Sequence, residues 1–204
     1  MALVTNTVLK EYLPEIQGTG ADSELTALIG RVESAIANYL GFPIADSASA
    51  PSLDSATYTI YLDGPTYSDN LNLNIPLRPL SSITSIHTDP DQEYGSDTLI
   101  AASTYTIDLN LGRVYLKPNS ATKVFDYGFR AIKVICVAGY SSGTAPGGLI
   151  HAICVWASQL QRNKTAQGKE TISQRTGNIT LSPKSIPLEV KEMLYPFRNF
   201  GSIL

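Results

Sequence analysis

The 204-residue sequence predicts an α+β fold: a helical core that carries a central antiparallel β-subdomain. Three patterns predict it. Apolar residues recur at helical spacing through the N-terminal part of the chain. From Thr57 to Ala138 the period falls to two, with connections too short for crossover helices. Two apolar helical segments then close the chain.

The first helix is expected around Val8, Leu9, Tyr12, Leu13 and Ile16, which share one face until Pro14, Gly18 and Gly20 break the pattern. Asp22 is a natural N-cap for the second helix, with Glu24 in its first turn. Leu25, Leu28, Ile29, Val32, Ile36, Tyr39 and Leu40 then repeat at i, i+3, i+4 and i+7. Gly41 and Pro43 stand where a terminating glycine and a following proline belong.

Residues 43–56, "PIADSASAPSLDSA", read as a small-residue linker. After it, Tyr58, Ile60 and Leu62 alternate with polar neighbours, and Leu71, Leu73 and Ile75 alternate with Asn72 and Asn74. Further strands are expected at Ser82–Thr88, Tyr105–Leu109, Arg113–Lys117, Lys123–Tyr127 and Ala131–Ala138, with Gly112 as a hairpin turn and "PLRP" as an edge or corner. Pro146 opens a helix that is apolar around much of its girth, through Leu149, Ile153, Trp156 and Leu160. Pro187 opens a last short helix carrying Val190, Met193 and Leu194 on one face, and Pro196 ends it. The expected organisation is N-terminal helices of the core over 1–42 and an inserted β-rich subdomain over 43–140. C-terminal helices follow over 141–204, with a flexible loop or hairpin arm at about 162–185.

Composition narrows the function. Charged residues are 16% of the chain, against roughly 25% for a typical soluble domain. Eleven tyrosines and many Ser, Thr and Asn stand in their place. A surface poor in charge and rich in Tyr suits assembly, although Thr and Tyr on β-strands give the same composition. Residues 1–161 hold 8 Lys/Arg against 15 Asp/Glu, whereas residues 162–204 hold 7 against 3. An acidic body argues against a phosphate-gripping, sequence-specific DNA reader. The basic C-terminal segment is either a dock for an acidic partner or a solvated tail. Cys136 and Cys154 lie in apolar runs without a C-x-x-C and read as buried hydrophobes of a reducing cytoplasm. The N-terminus has no basic region followed by an apolar stretch, and no apolar run is long enough to span a bilayer. No membrane partner is expected.

Gly139–Gly143, "GYSSG", matches the G-x-S-x-G nucleophile elbow, with a strand before it and a helix after it. The elbow requires the helix to start at the serine. Here Thr144, Ala145, Pro146 and two glycines intervene. No aspartate follows Ser141, and His151 precedes Glu170, Glu189 and Glu192, the reverse of the acid–histidine order. A serine hydrolase using Ser141 is therefore a remote alternative, and no catalytic residue is expected. "DPDQEYGSD" (89–97) lacks the spacing of a Ca²⁺ loop and reads as a solvated turn. Two histidines and two scattered cysteines do not make a zinc site, and neither phosphate-cradling glycine motif is present, so no cofactor or metal is expected.

The order of segments carries more than any one of them. "VLKEYLPEI" and a helix ending in "YLG" come first. "RPLSSI", a "YTIDLNLGRVY" hairpin and "VAGYSSGTAPGGLIHA" follow, and "PLEVKEMLYPFR" comes last. This order resembles the head–tail connector (adaptor, head-completion) proteins of tailed bacteriophages and gene-transfer particles. The likeness covers most of the chain and departs from the pattern at 43–56 and 162–185.

The resemblance implies a non-enzymatic structural adaptor, made in the host cytoplasm and placed in the virion neck. It implies a twelve-fold ring that binds the portal protein on one face and a tail or neck protein on the other, while DNA passes through without sequence-specific contact. An acidic body would keep that DNA from adhering. The candidate portal-docking arm comprises Lys164, Lys169, Arg175 and Lys184, with Tyr195, Phe197, Arg198 and Phe200 near the terminus. A β-rich binding module of a surface or virion protein is the alternative from another class.

Overall fold

The computed structural model describes residues 2–65, 71–118, 124–141, 143–164, 171–174, 177–180 and 186–199. The chain divides into two units, Met1–Leu40 with Ser142–Arg198, and Gly41–Ser141 with Asn199–Leu204.

The first unit is helical. Helix α1 spans Asn6–Glu11, with the Thr5 side chain accepting from Val8 N at its start. It stops earlier than its apolar pattern suggests, because Pro14 disfavours helical backbone at the residue before it. Tyr12 N and Leu13 N instead bond to Leu9 O and Lys10 O, a tightened last turn, and Leu13 stays wholly buried. Helix α2 spans Asp22–Leu40 and buries Leu25, Leu28, Ile29, Val32, Ile36 and Leu40, as the spacing predicts. Tyr39 is only half-buried. The same helix buries Glu33, whose carboxylate accepts from Val4 N at 3.0 Å and ties the N-terminal segment down.

Helix α3, Gly147–Arg162, starts from Pro146 and buries Leu149, Ala152, Ile153, Cys154 and Ala157. It packs on α1, α2 and α4 (Leu188–Leu194), which explains an apolar girth wider than one stripe. Burial pushes the Cys154 thiol up to about 11, with Glu11 and Glu33 adding to the effect. Within 162–185, Thr171–Gln174 and Gly177–Thr180 pair as an antiparallel ladder.

The second unit holds two three-stranded sheets. Strands β1 (Ala56–Leu62), β3 (Leu80–Thr88) and β6 (Ile132–Ala138) form one, in the antiparallel order β1-β6-β3. β6 is central and alternates strictly, with Ile132, Val134, Cys136 and Ala138 buried. Strands β2 (Asn72–Asn74), β4 (Tyr105–Asp108) and β5 (Arg113–Leu116) form the other, in the order β2-β5-β4. The β4–β5 hairpin turns through Gly112 at φ +60°, where a Cβ would sit 2.8 Å from Ile75 O. Asp108 closes β4 one residue early, because its Oδ1 accepts from Asn110 N and Leu111 N.

The expected strand at Lys123–Tyr127 is not found in its described part, 124–127. Only Phe125 is buried there, and Asp126 N donates to the Thr88 hydroxyl at 2.8 Å rather than to a strand. The 43–56 linker is more ordered than its composition suggests. Asp46 N donates to Thr57 O, and the Asp46 carboxylate accepts from Thr59 N at 2.8 Å and Thr59 Oγ1 at 2.7 Å. It thereby satisfies groups on the outer edge of β1.

Past β6 the chain turns at Gly139, φ +106°, beneath the Leu53–Asp54 backbone. Gly139 N donates to Pro79 O, Tyr140 N to Leu53 O, and Ser55 N to Tyr140 O. A Cβ on residue 139 would lie 2.5 Å from Asp54 O. Both the positive φ and the lack of space demand glycine. Gly139→Ala is expected to destabilise the protein by about 3 kcal/mol in chemical denaturation.

Candidate assembly surfaces

The GYSSG turn comes first. α3 begins at Gly147, six residues past Ser141, so no helix N-terminus is aligned on that serine. His151 sits on α3 with its Nδ1 2.8 Å from the Tyr12 hydroxyl, and the two rings lie 5.6 Å apart. The motif's glycine at 139 serves the close passage of Leu53 and Asp54 described above. Among the described residues no group of three His, Cys, Asp or Glu side chains could hold a metal ion, and no helix is long and apolar enough to cross a membrane.

Four of the residues proposed for docking are described. Lys164 Nζ lies 2.7 Å from Glu24 Oε1, to which Gln161 Nε2 also donates. This pairing, first through Lys164, holds the Glu24 carboxyl below its ordinary range. Phe197 packs its ring over Gly148, in the first turn of α3. The Arg198 guanidinium lies 5.2 Å from the centre of the Tyr39 ring. Tyr195 is 60% exposed, and Leu188, seven residues earlier on the same helical face, is 72% exposed. The structure therefore packs the half-buried Phe197 against α3, leaves Arg198 exposed beside Tyr39, and adds Leu188, which sequence reasoning missed, to Tyr195. Lys169, Arg175, Lys184 and Phe200 lie outside the described residues.

The second unit carries a tip that sequence reasoning did not single out. It is built from the segments beside Leu62, Thr88 and Ile132, which pair at one end of the β1-β6-β3 sheet. Tyr127 and Phe129 project from it, 67% and 65% exposed. The loop that bears them is braced on both sides. Gly64 N donates to Gly128 O and Asp89 N to Ala131 O. Arg130 N donates to Asp63 Oδ1, Gln92 Nε2 to Phe129 O, and the Tyr94 hydroxyl to Arg130 O. Beneath lies a stack in which the Tyr61 and Tyr94 rings are 5.4 Å apart. The Arg130 guanidinium stands 4.3 Å from the Tyr61 ring centre, and Lys133 Nζ stands 5.4 Å from that of Tyr94. The signal was present as "DYGFR", aromatic residues around a glycine in a segment that reads as a strand only by alternation.

Asp89 organises the base of this tip. It is buried, and its carboxylate accepts from Tyr94 N at 2.7 Å, Asp91 N at 2.9 Å and Glu93 N at 3.1 Å. The Tyr94 N–H is the main cause of a carboxyl pKa held below its ordinary value. The acidic run 89–97 is therefore a self-capped turn that holds Gln92 and Tyr94 at positive φ. On the β2-β5-β4 sheet, Asn72, Asn74, Arg113 and Tyr115 line a shallow depression of about 310 Å³.

This two-unit α+β architecture has known counterparts. No family model matches the sequence, and no curated protein matches it by sequence. Solved structures do match in fold. A chain from the neck of an empty gene transfer agent (GTA) particle, computed with C6 symmetry, superposes with TM-score 0.56 at 15% identity. The match covers 95% of this chain and 90% of that one. A chain from the neck of the native GTA particle, computed with C12 symmetry, gives 0.54 at 15% identity over 95% and 89%. A chain from the virion of the native particle gives 0.53 at 14% identity over 95% and 90%. The fold is one found in GTA particle necks, in line with the head–tail connector resemblance drawn from the segment order.

The Asp89 turn makes a pH prediction. A carboxyl whose folded pKa is lowered contributes stability that is complete above its unfolded range, about pH 4. That contribution is lost as pH falls through the lowered folded value. Chemical denaturation across pH 2–7 is expected to show Asp89→Asn less stable than wild type at pH 7. The variant should also show a shallower loss of stability on acidification.

Proposed function

We propose that this chain is a structural adaptor of a virion neck, forming a ring between the portal and the tail or neck proteins and completing the head. The observation that carries the reading is a likeness of fold to neck chains over nearly the whole length of both partners. The C6 and C12 symmetries of those necks support a ring. Composition fits. A subunit poor in charge, with Tyr127, Phe129, Leu188 and Tyr195 held outward, is suited to contacts between proteins. An acidic body lets DNA pass through a ring without adhering, and the work is done without a bond being made or broken.

Within this reading the α4 face formed by Leu188 and Tyr195 docks on the portal, beside the basic arm at 162–185. Two tests follow. Negative-stain microscopy of the purified chain, alone and with its portal protein, is expected to show a twelve-fold ring on the portal, in keeping with the C12 symmetry of the native GTA neck. A protein that stays monomeric and never decorates a portal overturns the reading. In portal pull-down, the double variant Leu188→Ala/Tyr195→Ala is expected to bind roughly tenfold more weakly or worse, with an unchanged thermal melt.

A further inference from the structure

We propose that neighbouring copies of this chain meet head to tail through the second unit. The aromatic tip of one copy seats on the β2-β5-β4 sheet of the next. The inference deepens the neck reading and rests on it for the existence of a ring.

Shape gives the first argument. Tyr127 and Phe129 stand out from a loop whose backbone is braced by hydrogen bonds, beside the tilted Tyr61–Tyr94 pair. The sheet offers a recess of about 310 Å³. Arg113 and Tyr115 supply a cation and a ring face for an incoming aromatic side chain, and the Asn72 and Asn74 amides can meet a phenol hydroxyl. Leu109 and Leu111, exposed on the same hairpin, extend the apolar contact.

Charge gives the second. The tip segments 61–65, 88–95 and 124–133 carry five carboxylates against two cations. The receiving segments, 71–79 and 104–118, carry three cations, Arg78, Arg113 and Lys117, against Asp108 alone. The tip of one copy is therefore attracted to the sheet of another, whereas two tips repel each other.

Placement gives the third. The tip lies where Thr88 pairs with Ile132. The receiving hairpin turn is tied to the segment leading into Leu80, through Arg78 Nη2 to Leu111 O and Ile75 N to Gly112 O. The span of β3 between these ends is about 26 Å at roughly 3.3 Å per residue. Two different surfaces at separate places on one subunit make a heterologous contact. Repeated with closure, such a contact builds a ring.

A mixing experiment tests this on the full chain. The tip variant is Tyr127→Asp/Phe129→Asp, and the receiving variant is Arg113→Glu/Tyr115→Ala. Sedimentation velocity and negative-stain microscopy, with and without the portal protein, read assembly. Each variant alone is expected to assemble at least a hundredfold more weakly than wild type. An equimolar mixture should give a dimer and nothing larger, because each partner keeps one working surface. A variant that builds rings like wild type, or a mixture that stays monomeric with both proteins folded, overturns the contact while leaving the neck reading in place. A wild type that never assembles overturns both.

Should either double variant fail to fold, Phe129→Cys mixed with Asn72→Cys provides the second measurement, since the native Cys136 and Cys154 are buried. A disulfide between the two variants supports the contact. Its absence from wild-type-like rings overturns it.

Discussion

β6 is the strand on which the second unit depends. Both of its edges are taken, by β1 and by β3, and every second side chain is buried. Burial pushes the Cys136 thiol up to about 12, with Asp46 adding to it, so that sulfur behaves as a small apolar group. A central strand with one sealed face has its register fixed, because a slip of one residue would turn the whole apolar set outward. Its exit is fixed too. The chain leaves through Gly139, where the carbonyls of Leu53 and Asp54 lie too close for any side chain. A motif that reads as a nucleophile elbow is thus accounted for by backbone crowding.

The same economy of charge runs through the helical unit. Lys10 pairs with Asp22, Arg162 with Glu15 and Lys164 with Glu24, each joining segments far apart in the sequence or flanking the α1–α2 connection. Partly exposed pairs of this kind contribute little stability. They do set which ends lie together, and they neutralise two of the basic residues from which the C-terminal arm would otherwise draw its positive character. Leu188, at the start of α4, and Tyr195, just past its end, are left exposed.

The amphipathic helices were the most legible part of the sequence. α2 ends before the Gly41 that its pattern marks, since apolar period and terminating glycine agree there, whereas Asp22, expected as the cap, is the first residue inside the helix and Ala21 O accepts the first helical bond, from Leu25 N. The β-strands were legible wherever alternation reflected a buried face, as in β6. Alternation misled at 124–127, where Phe125 alone enters the core and the backbone bonds to a threonine side chain. What could not be read were arrangements made by distant residues. Asp89 looked like one acid in a solvated run, and only the folded turn shows it gathering three N–H groups. The tip needs segments around positions 62, 90 and 128 to converge, which no local window contains. On the candidate site, the sequence pointed to aromatic residues near the C-terminus but did not distinguish Phe197, which packs inward, from Tyr195, which does not.

Fold likeness over 95% of the chain at 15% identity shows that very different sequences build this fold. A core tolerates many apolar exchanges if its volume and burial pattern are kept. A subunit that acts through shape must keep its strands in register, its turn glycines where backbones cross, and its outward apolar groups on rigid supports. A rigid support matters because an aromatic ring already fixed in place loses little entropy on binding. The Asp89 turn and the Tyr61–Tyr94 stack give Tyr127 and Phe129 that support, and Gly112 gives it to the receiving hairpin. In the proposed ring contact, the residues that brace each surface therefore count as much as the residues that touch.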